Sequence, residues 1–296
     1  MNFATLLASF GGGVFGAALG GLPAFVFTGF AVLIGAAAVL GGSSFDFISN
    51  VAFGPVFGPH IAFCGGVAAA AYAAKKGIHK AGKDIVSGGA GFNDPMALLI
   101  GGLFGILGYL LVSIFNTIFP AGFTDNVALT VFLSNTITRV TFGKTGVFGT
   151  LSEEAKARGR FTPGGNEVWL PHQQDFGQIF VISLGVSLLA AWYALAVIGV
   201  DQAYFPAAAF VGFGISAASL ILLCIGTNVP VTHHMTIIAS LSAIASGSLV
   251  VGVIMGIISG FLGELASRTF FIHGDTHIDP PATAIFIMTF LLWVIF

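Results

Sequence analysis

Leu22-Pro23-Ala24-Phe25-Val26-Phe27-Thr28-Gly29-Phe30 returns late in the chain as Phe205-Pro206-Ala207-Ala208-Ala209-Phe210-Val211-Gly212-Phe213. The shared pattern is Pro-Ala-x-x-Phe-x-Gly-Phe, and further matches follow it in the same order. Gly101 and Gly105 are answered by Gly252 and Gly256 at the same spacing. Asp125-Asn126-Val127-Ala128 is answered by Asp279-Pro280-Pro281-Ala282, and Phe132 by Phe286. With 42 Gly and 31 Phe in the chain, isolated identities mean little. The ordered Pro, Gly and Asp matches argue for two homologous halves.

Composition says where those halves reside. Of the 296 residues, 56% are hydrophobic and only 7% charged, with a mean hydropathy of +0.99. A soluble domain carries about 25% charged residues, so this chain has too little polar surface to cover a globule. Ten apolar segments stand near 3–21, 23–41, 56–75, 95–118, 124–142, 176–199, 205–225, 229–246, 248–268 and 281–296. Their length and unbroken apolarity predict helices at roughly 20 residues per membrane crossing. A membrane barrel would alternate instead. Asp94-Pro95 and Asp279-Pro280-Pro281 place a capping residue before a Pro at the first helical position. Pro23 and Pro206 likewise open spans. The expected fold is an all-α integral membrane protein of about ten transmembrane helices. Residues 1–142 form a first five-helix repeat, 143–175 a solvated linker with a short surface helix at 151–158, and 176–296 a second five-helix repeat.

Orientation is read from the basic residues. Lys75, Lys76, Lys80 and Lys83 follow the third segment; Arg139, Lys144, Lys156, Arg158 and Arg160 follow the fifth; Arg268 follows the ninth. These are all the Lys and Arg residues in the chain. If every segment crosses, all of them share one face, which the positive-inside rule makes cytoplasmic. The expected setting is the cell membrane, with both termini outside and the linker and basic loops inside. The first residues lack the basic region of a signal peptide, so the first segment is read as a retained span. Cys64 and Cys224 lie in apolar segments and are read as packing residues.

Five crossings is an odd number, so the second half must enter the membrane inverted, a recurrent plan of transporters. The third segment of each half is the irregular one. It begins Gly54-Pro55-Val56-Phe57-Gly58-Pro59-His60 in the first half and Gly226-Thr227-Asn228-Val229-Pro230-Val231-Thr232-His233-His234 in the second. Broken backbone at membrane depth must line a cavity or be buried in protein. A helix starting there points free N–H groups and a positive dipole end into it. His60, His233, His234, Thr232 and Asn228 are therefore the candidate solute-binding residues, with Phe27 and Phe210 as apolar gates. With one gap, His60 aligns with the His233-His234 pair. The alternative for each His is an interfacial ring bonded to a carbonyl. Asp125 and Asp279 are candidate coupling residues, or simply helix caps. Glu264 is placed to pair with Arg268 one turn on. His273-Gly274-Asp275-Thr276-His277-Ile278-Asp279 sets a possible metal ligand at every second residue, against the plainer reading of a polar cytoplasmic loop.

These features suggest a permease moving a small polar or anionic solute between two inverted repeats. A passive channel of the same plan, a membrane subunit of a larger complex, and a metal-dependent intramembrane enzyme are the alternatives. The chain shows no Ser/His/Asp set, Cys nucleophile or phosphate-binding loop, so it is not expected to be an enzyme or to hold a cofactor or metal. The expected partners are the lipid bilayer and the solute, not nucleic acid; a homo-oligomer is compatible with the sequence.

Overall fold

A computed structural model describes residues 2–296 as an all-helical bundle, with no strand among them. The helices are α1 (Phe3–Leu19), α2 (Gly21–Leu40), α3 (Cys64–Lys75), α4 (Pro95–Ile118), α5 (Asn126–Phe142), α6 (Glu153–Arg158), α7 (Phe176–Ile198), α8 (Phe205–Ser219), α9 (Ile221–Cys224), α10 (His233–Ser246), α11 (Leu249–Ala266) and α12 (Pro280–Ile295). Capping punctuates them, at Asp94 as the sequence suggests and at Asp175 as well. Asp94 accepts a hydrogen bond from the Met96 N–H at 2.8 Å with Pro95 at the first helical position, and Asp175 accepts from the Gln178 N–H at 3.1 Å. Such caps satisfy N–H groups that the helix itself cannot.

Five helical stretches are long and apolar enough to cross a membrane: Gly21–Leu40, Pro95–Ile118, Phe176–Ile198, Gln202–Cys224 and Leu249–Phe271. Phe3–Leu19 and Pro280–Ile295 are apolar but shorter. The expectation of ten full spans meets a physical limit in the remaining three segments. α3 and α10 have only 12 and 14 residues, because Gly and Pro break the chain ahead of them. α5 carries Thr130, Ser134, Asn135, Thr138 and Arg139, all fully buried.

Each half is built by close approach of small residues. In the first, α1 lies against α3 and α4; in the second, α7 lies against α10 and α11. Gly13, Gly65, Gly101 and Gly105 allow α1, α3 and α4 to touch backbone to backbone, and Gly252, Gly256 and Gly260 set α11 on Ser183, Ser187 and Ala239. This is the small-xxx-small contact of membrane helices. The halves meet through α2 against α8 and α5 against α12.

The connections 76–94, 143–175 and 267–279 gather at one end of the bundle. Gly82 bridges to Thr276, the Thr150 N–H donates to the His273 carbonyl at 3.0 Å, and Lys83 Nζ donates to the Ile272 carbonyl at 3.0 Å. The buried Arg139 guanidinium ties this end together by donating to the carbonyls of Val147, Phe270 and Thr276. Burial, and then the Arg139 charge, pull the Lys83 ammonium down to about 8.

Gly108 tests the packing. A methyl group there would overlap the His60 carbonyl oxygen, whereas one at Gly11 would meet nothing within 4 Å. Gly108→Ala is expected to lower stability by ~1–3 kcal/mol or more, as overpacking does. Gly11→Ala is expected to be neutral or slightly stabilising. Thermal melting in detergent measures both, and equal melting temperatures would contradict this packing.

Candidate functional site

Asp125 and Asp279 define the site. Asp125 Oδ1 accepts from the Ala128 N–H at 2.8 Å and so caps α5; Asp279 Oδ2 accepts from the Ala282 N–H at 2.7 Å and caps α12. Each Asp is also fixed through its own N–H by the partner helix. The Asp125 N–H donates to Thr289 Oγ1 at 2.8 Å, and the Asp279 N–H donates to Asn135 Oδ1 at 3.3 Å. Between these anchors Phe132 packs on Phe286, ring centroids 5.3 Å apart.

Beside this helix pair, and walled on the other side by α2 and α8, lies a cavity of about 100 Å³. Its polar lining is Asp125, Asp279, His233 and His277; Phe25, Phe53, Phe63, Phe213 and Trp169 supply aromatic wall. His233 is 6% exposed, its Nδ1 has no hydrogen-bond partner, and its ring lies 4.7 Å from that of Phe25 and 5.6 Å from that of Phe213. His277 Nε2 meets Asp279 Oδ1 at 3.1 Å. Two helix starts reach the cavity without a side-chain cap: α10 at His233, and the π-helical turn Pro59–Phe63 ahead of α3 at Pro59.

The other sequence candidates lie elsewhere. His60 and His234 are buried but outside the lining, His60 folded back over Gly58 and His234 against Gly263. Both His234 nitrogens lack a partner. Thr232 donates its hydroxyl to Ser216 Oγ at 3.0 Å. Asn228 is exposed. Phe27 stacks on Phe57 at 5.4 Å, and Phe210 packs on Phe53 at 5.2 Å one layer behind the wall.

Two stretches differ from expectation. Residues 273–279 do not turn their polar side chains to one side. His273 bonds the Arg160 carbonyl at 2.8 Å, Asp275 accepts from the Lys144 N–H at 2.6 Å and the Thr145 hydroxyl at 2.7 Å, and His277 turns to Asp279. No group of three His, Cys, Asp or Glu side chains among the described residues is placed to hold a metal. The segment is also largely buried, because the linker covers it. The linker itself is more than a solvated connector. Trp169 and Leu170 line the cavity, and the buried Gln173 clasps the approach to α10: its Nε2 donates to the Val231 carbonyl at 2.9 Å and its Oε1 accepts from the Val231 N–H at 2.7 Å. The apolar triplet Val168-Trp169-Leu170 inside a polar stretch was the available signal. Glu264 pairs with Arg268 at 2.8 Å, as its spacing suggests.

The geometry thus defines a class: an all-helical protein with membrane-length apolar helices around an acidic, aromatic-walled cavity. The chain belongs to a Family of unknown function (DUF7973), whose model matches residues 1–157 and again residues 150–296. No curated protein and no solved structure matches the chain.

Glu167 reports on how the linker is held. Partial burial works against its charge, but the Arg158 guanidinium, which donates to Glu167 Oε2 at 2.6 Å, and the nearby Ser152 and His273 side chains outweigh this and hold its carboxyl below the ordinary value of 4.5. A carboxylate whose folded pKa is depressed stabilises the fold above its unfolded pKa, and that stabilisation is lost on acidification. The melting-temperature advantage of the wild type over Glu167→Gln is expected at pH 7 and should shrink away below about pH 4. An advantage that persisted unchanged in acid would contradict this role.

Proposed function

We propose that this protein is a multi-pass membrane permease in which two inverted five-helix repeats, 1–142 and 176–296, carry a small solute through the cavity between them. The observation that carries the reading is the reciprocity of α5 and α12. Asp125 bonds Thr289 and Asp279 bonds Asn135, and each partner stands ten residues beyond the Asp of its own helix. Phe132 meets Phe286, its own counterpart in the repeat. A residue that touches its counterpart lies on a two-fold axis, where the same patch serves both partners. The double match of one family model, once in each half, supports the same division.

Further support comes from the charges. The three basic connections lie together at one end, as they must if two crossings separate the first from the second and four separate the second from the third. The positive-inside rule makes that end cytoplasmic and both termini external in the cell membrane. A solute site at mid-bilayer between inverted repeats, near broken helices, is the transporter arrangement. Trp169 and Leu170 of the linker border the inner part of the cavity, which favours a carrier with a closed inner gate over a continuous pore.

Two measurements test this. Single cysteines replacing Lys80 and Lys156 are expected to react with an impermeant reagent from one side, and those replacing Ala121 and Asp201 from the other; mixed labelling within either pair sinks the inverted plan. For transport, proteoliposomes bearing the protein are offered a mixture of small metabolites, and the contents are read by mass spectrometry. Uptake of at least one solute is expected, with about tenfold less in Ala128→Phe and Ala282→Phe, which fill the cavity from its two helices. Flux unchanged by both substitutions would remove the cavity from the pathway.

A further inference from the structure

We infer that the solute of this permease carries a cationic nitrogen on a small apolar body, with Asp125 as its outer docking group and Asp279 as its inner one. The inference rests on the permease reading and adds the solute's charge and its two stations. Asp125 and Asp279 are the two acidic side chains lining the cavity, beside His233 and His277, and no Lys or Arg borders it. Asp279 is met by the Ala282 N–H and by His277. Asp125 is met by the Ala128 N–H, and no Lys, Arg or His side chain pairs with it among the described residues. A carboxylate in a low-dielectric cavity calls for a positive partner.

The opposing influence is the pair of uncapped helix starts at Pro59 and His233, whose dipoles favour an anion. A helix end is worth roughly half an elementary charge and acts within its first turn, whereas each carboxylate is a full charge. α5 and α12 already spend their own positive ends on Asp125 and Asp279. While the carboxyls are ionised, the sum is therefore negative at Asp125, which has no basic partner, and at Asp279 as long as His277 serves it as a neutral hydrogen-bond partner. The buried His233, with Nδ1 unpartnered in the wall, offers a hydrogen-bonding group to a polar substituent. Around these groups the wall is aromatic, the surface that holds an ammonium over ring faces and covers an apolar body.

The two stations follow from the antiparallel pairing. Asp125 sits beside Thr289, ten residues along α12 from Asp279. At 1.5 Å per residue the two carboxylates lie about 15 Å apart along the helix axis, too far for one small ammonium to bridge. Asp125 also borders a second pocket, lined by Asn116, Phe119, Thr124 and Asn126, at the end of the bundle away from the linker. Asp279 lies toward the linker end with His277. A cation entering from outside meets Asp125 first and is released inward from Asp279.

The test uses the full chain in nanodiscs with Trp192→Phe and Trp293→Phe, which leaves Trp169 as the sole tryptophan in the cavity wall. The probes are 2-phenylethylammonium chloride and sodium 3-phenylpropionate, of similar size and opposite charge, titrated at constant ionic strength. The ammonium probe is expected to change Trp169 emission saturably. Asp125→Asn and Asp279→Asn should each weaken its half-saturation about tenfold, and the carboxylate probe should act at least tenfold more weakly than the ammonium. Melting curves confirm that the variants fold, and Asp125→Glu, which keeps the charge, should retain a response. An ammonium response unmoved by both Asn substitutions overturns the inference. So does a carboxylate response as strong as the ammonium's. If that carboxylate response disappears in Ala128→Phe, the cavity remains the solute site and only the charge assignment falls; if neither probe responds, this inference falls, while the permease reading is decided by the uptake assay.

Discussion

A helix that begins inside an apolar bundle leaves its first N–H groups with no water to bond. At α5 and α12 this requirement is met by a carboxylate, and the rest of the molecule follows from that choice. Each Asp closes its own first turn and gives its main-chain N–H to a side chain halfway along the opposite helix. A cap of this kind contributes about 1 kcal/mol at a helix start. In this setting it also fixes the register of two antiparallel helices, places an acid at each end of their interface, and leaves a cavity where α2 and α8 close over them.

The other two helix starts at the cavity handle the same constraint without a side-chain cap. Pro59 has no N–H to leave unbonded, and the turn behind it winds as a π-helix before α3 begins. α10 opens on His233, where the Thr232 carbonyl already accepts from Met235 and Thr236 while the Thr232 hydroxyl turns away to Ser216. Wide π-helical turns recur at Ile48–Ala52 and Ser267–Phe271, again where the chain enters or leaves a broken segment. Such turns are frequent at functional sites. The site is thus built of four helix starts, two acid-capped and two open, set in aromatic walls.

Much of this was legible in the sequence because it is written in Pro, Asp and Gly. The segment expected at 95–118 is α4, bounded by Asp94-Pro95, and the close helix contacts fall at the glycines spaced four apart. What was not legible is direction. Neighbours on a helix point about 100° apart, so of His233 and His234 only one faces the cavity, and a one-residue gap decides which of them answers His60. The structure sets the His60 carbonyl against Gly108, and the Ser259 hydroxyl onto the His234 carbonyl at 2.9 Å. With Gly101 and Gly105 matched to Gly252 and Gly256, His60 corresponds to His234 and Pro59 to His233. The first half therefore presents a proline where the second presents an imidazole. Trp169 and Gln173 were harder to read for another reason: a linker's polar composition predicts exposure, and the apolar triplet Val168-Trp169-Leu170 marks a buried point without telling what it folds back onto.

That fold-back gives the molecule a polarity its helices lack. On the proposed plan, two inverted repeats alone would have an outward-open state and an inward-open state related by symmetry and equal in energy. The loops break this equality, because 76–94, 143–175 and 267–279 all lie at one end, while the turn between α10 and α11 at the other is only Gly247-Ser248. Gln173 makes two buried hydrogen bonds to Val231, at the entry to α10, and Arg268 joins Glu264 to the carbonyls of Phe161 and Gln174. At ~0.5–1.5 kcal/mol net per bond, the Gln173 pair alone contributes ~1–3 kcal/mol to whichever state keeps it. In the proposed carrier that is enough to shift a symmetric equilibrium by roughly five- to 150-fold toward a closed inner end. In the proposed permease the helices supply the exchange and the linker decides which side it rests on.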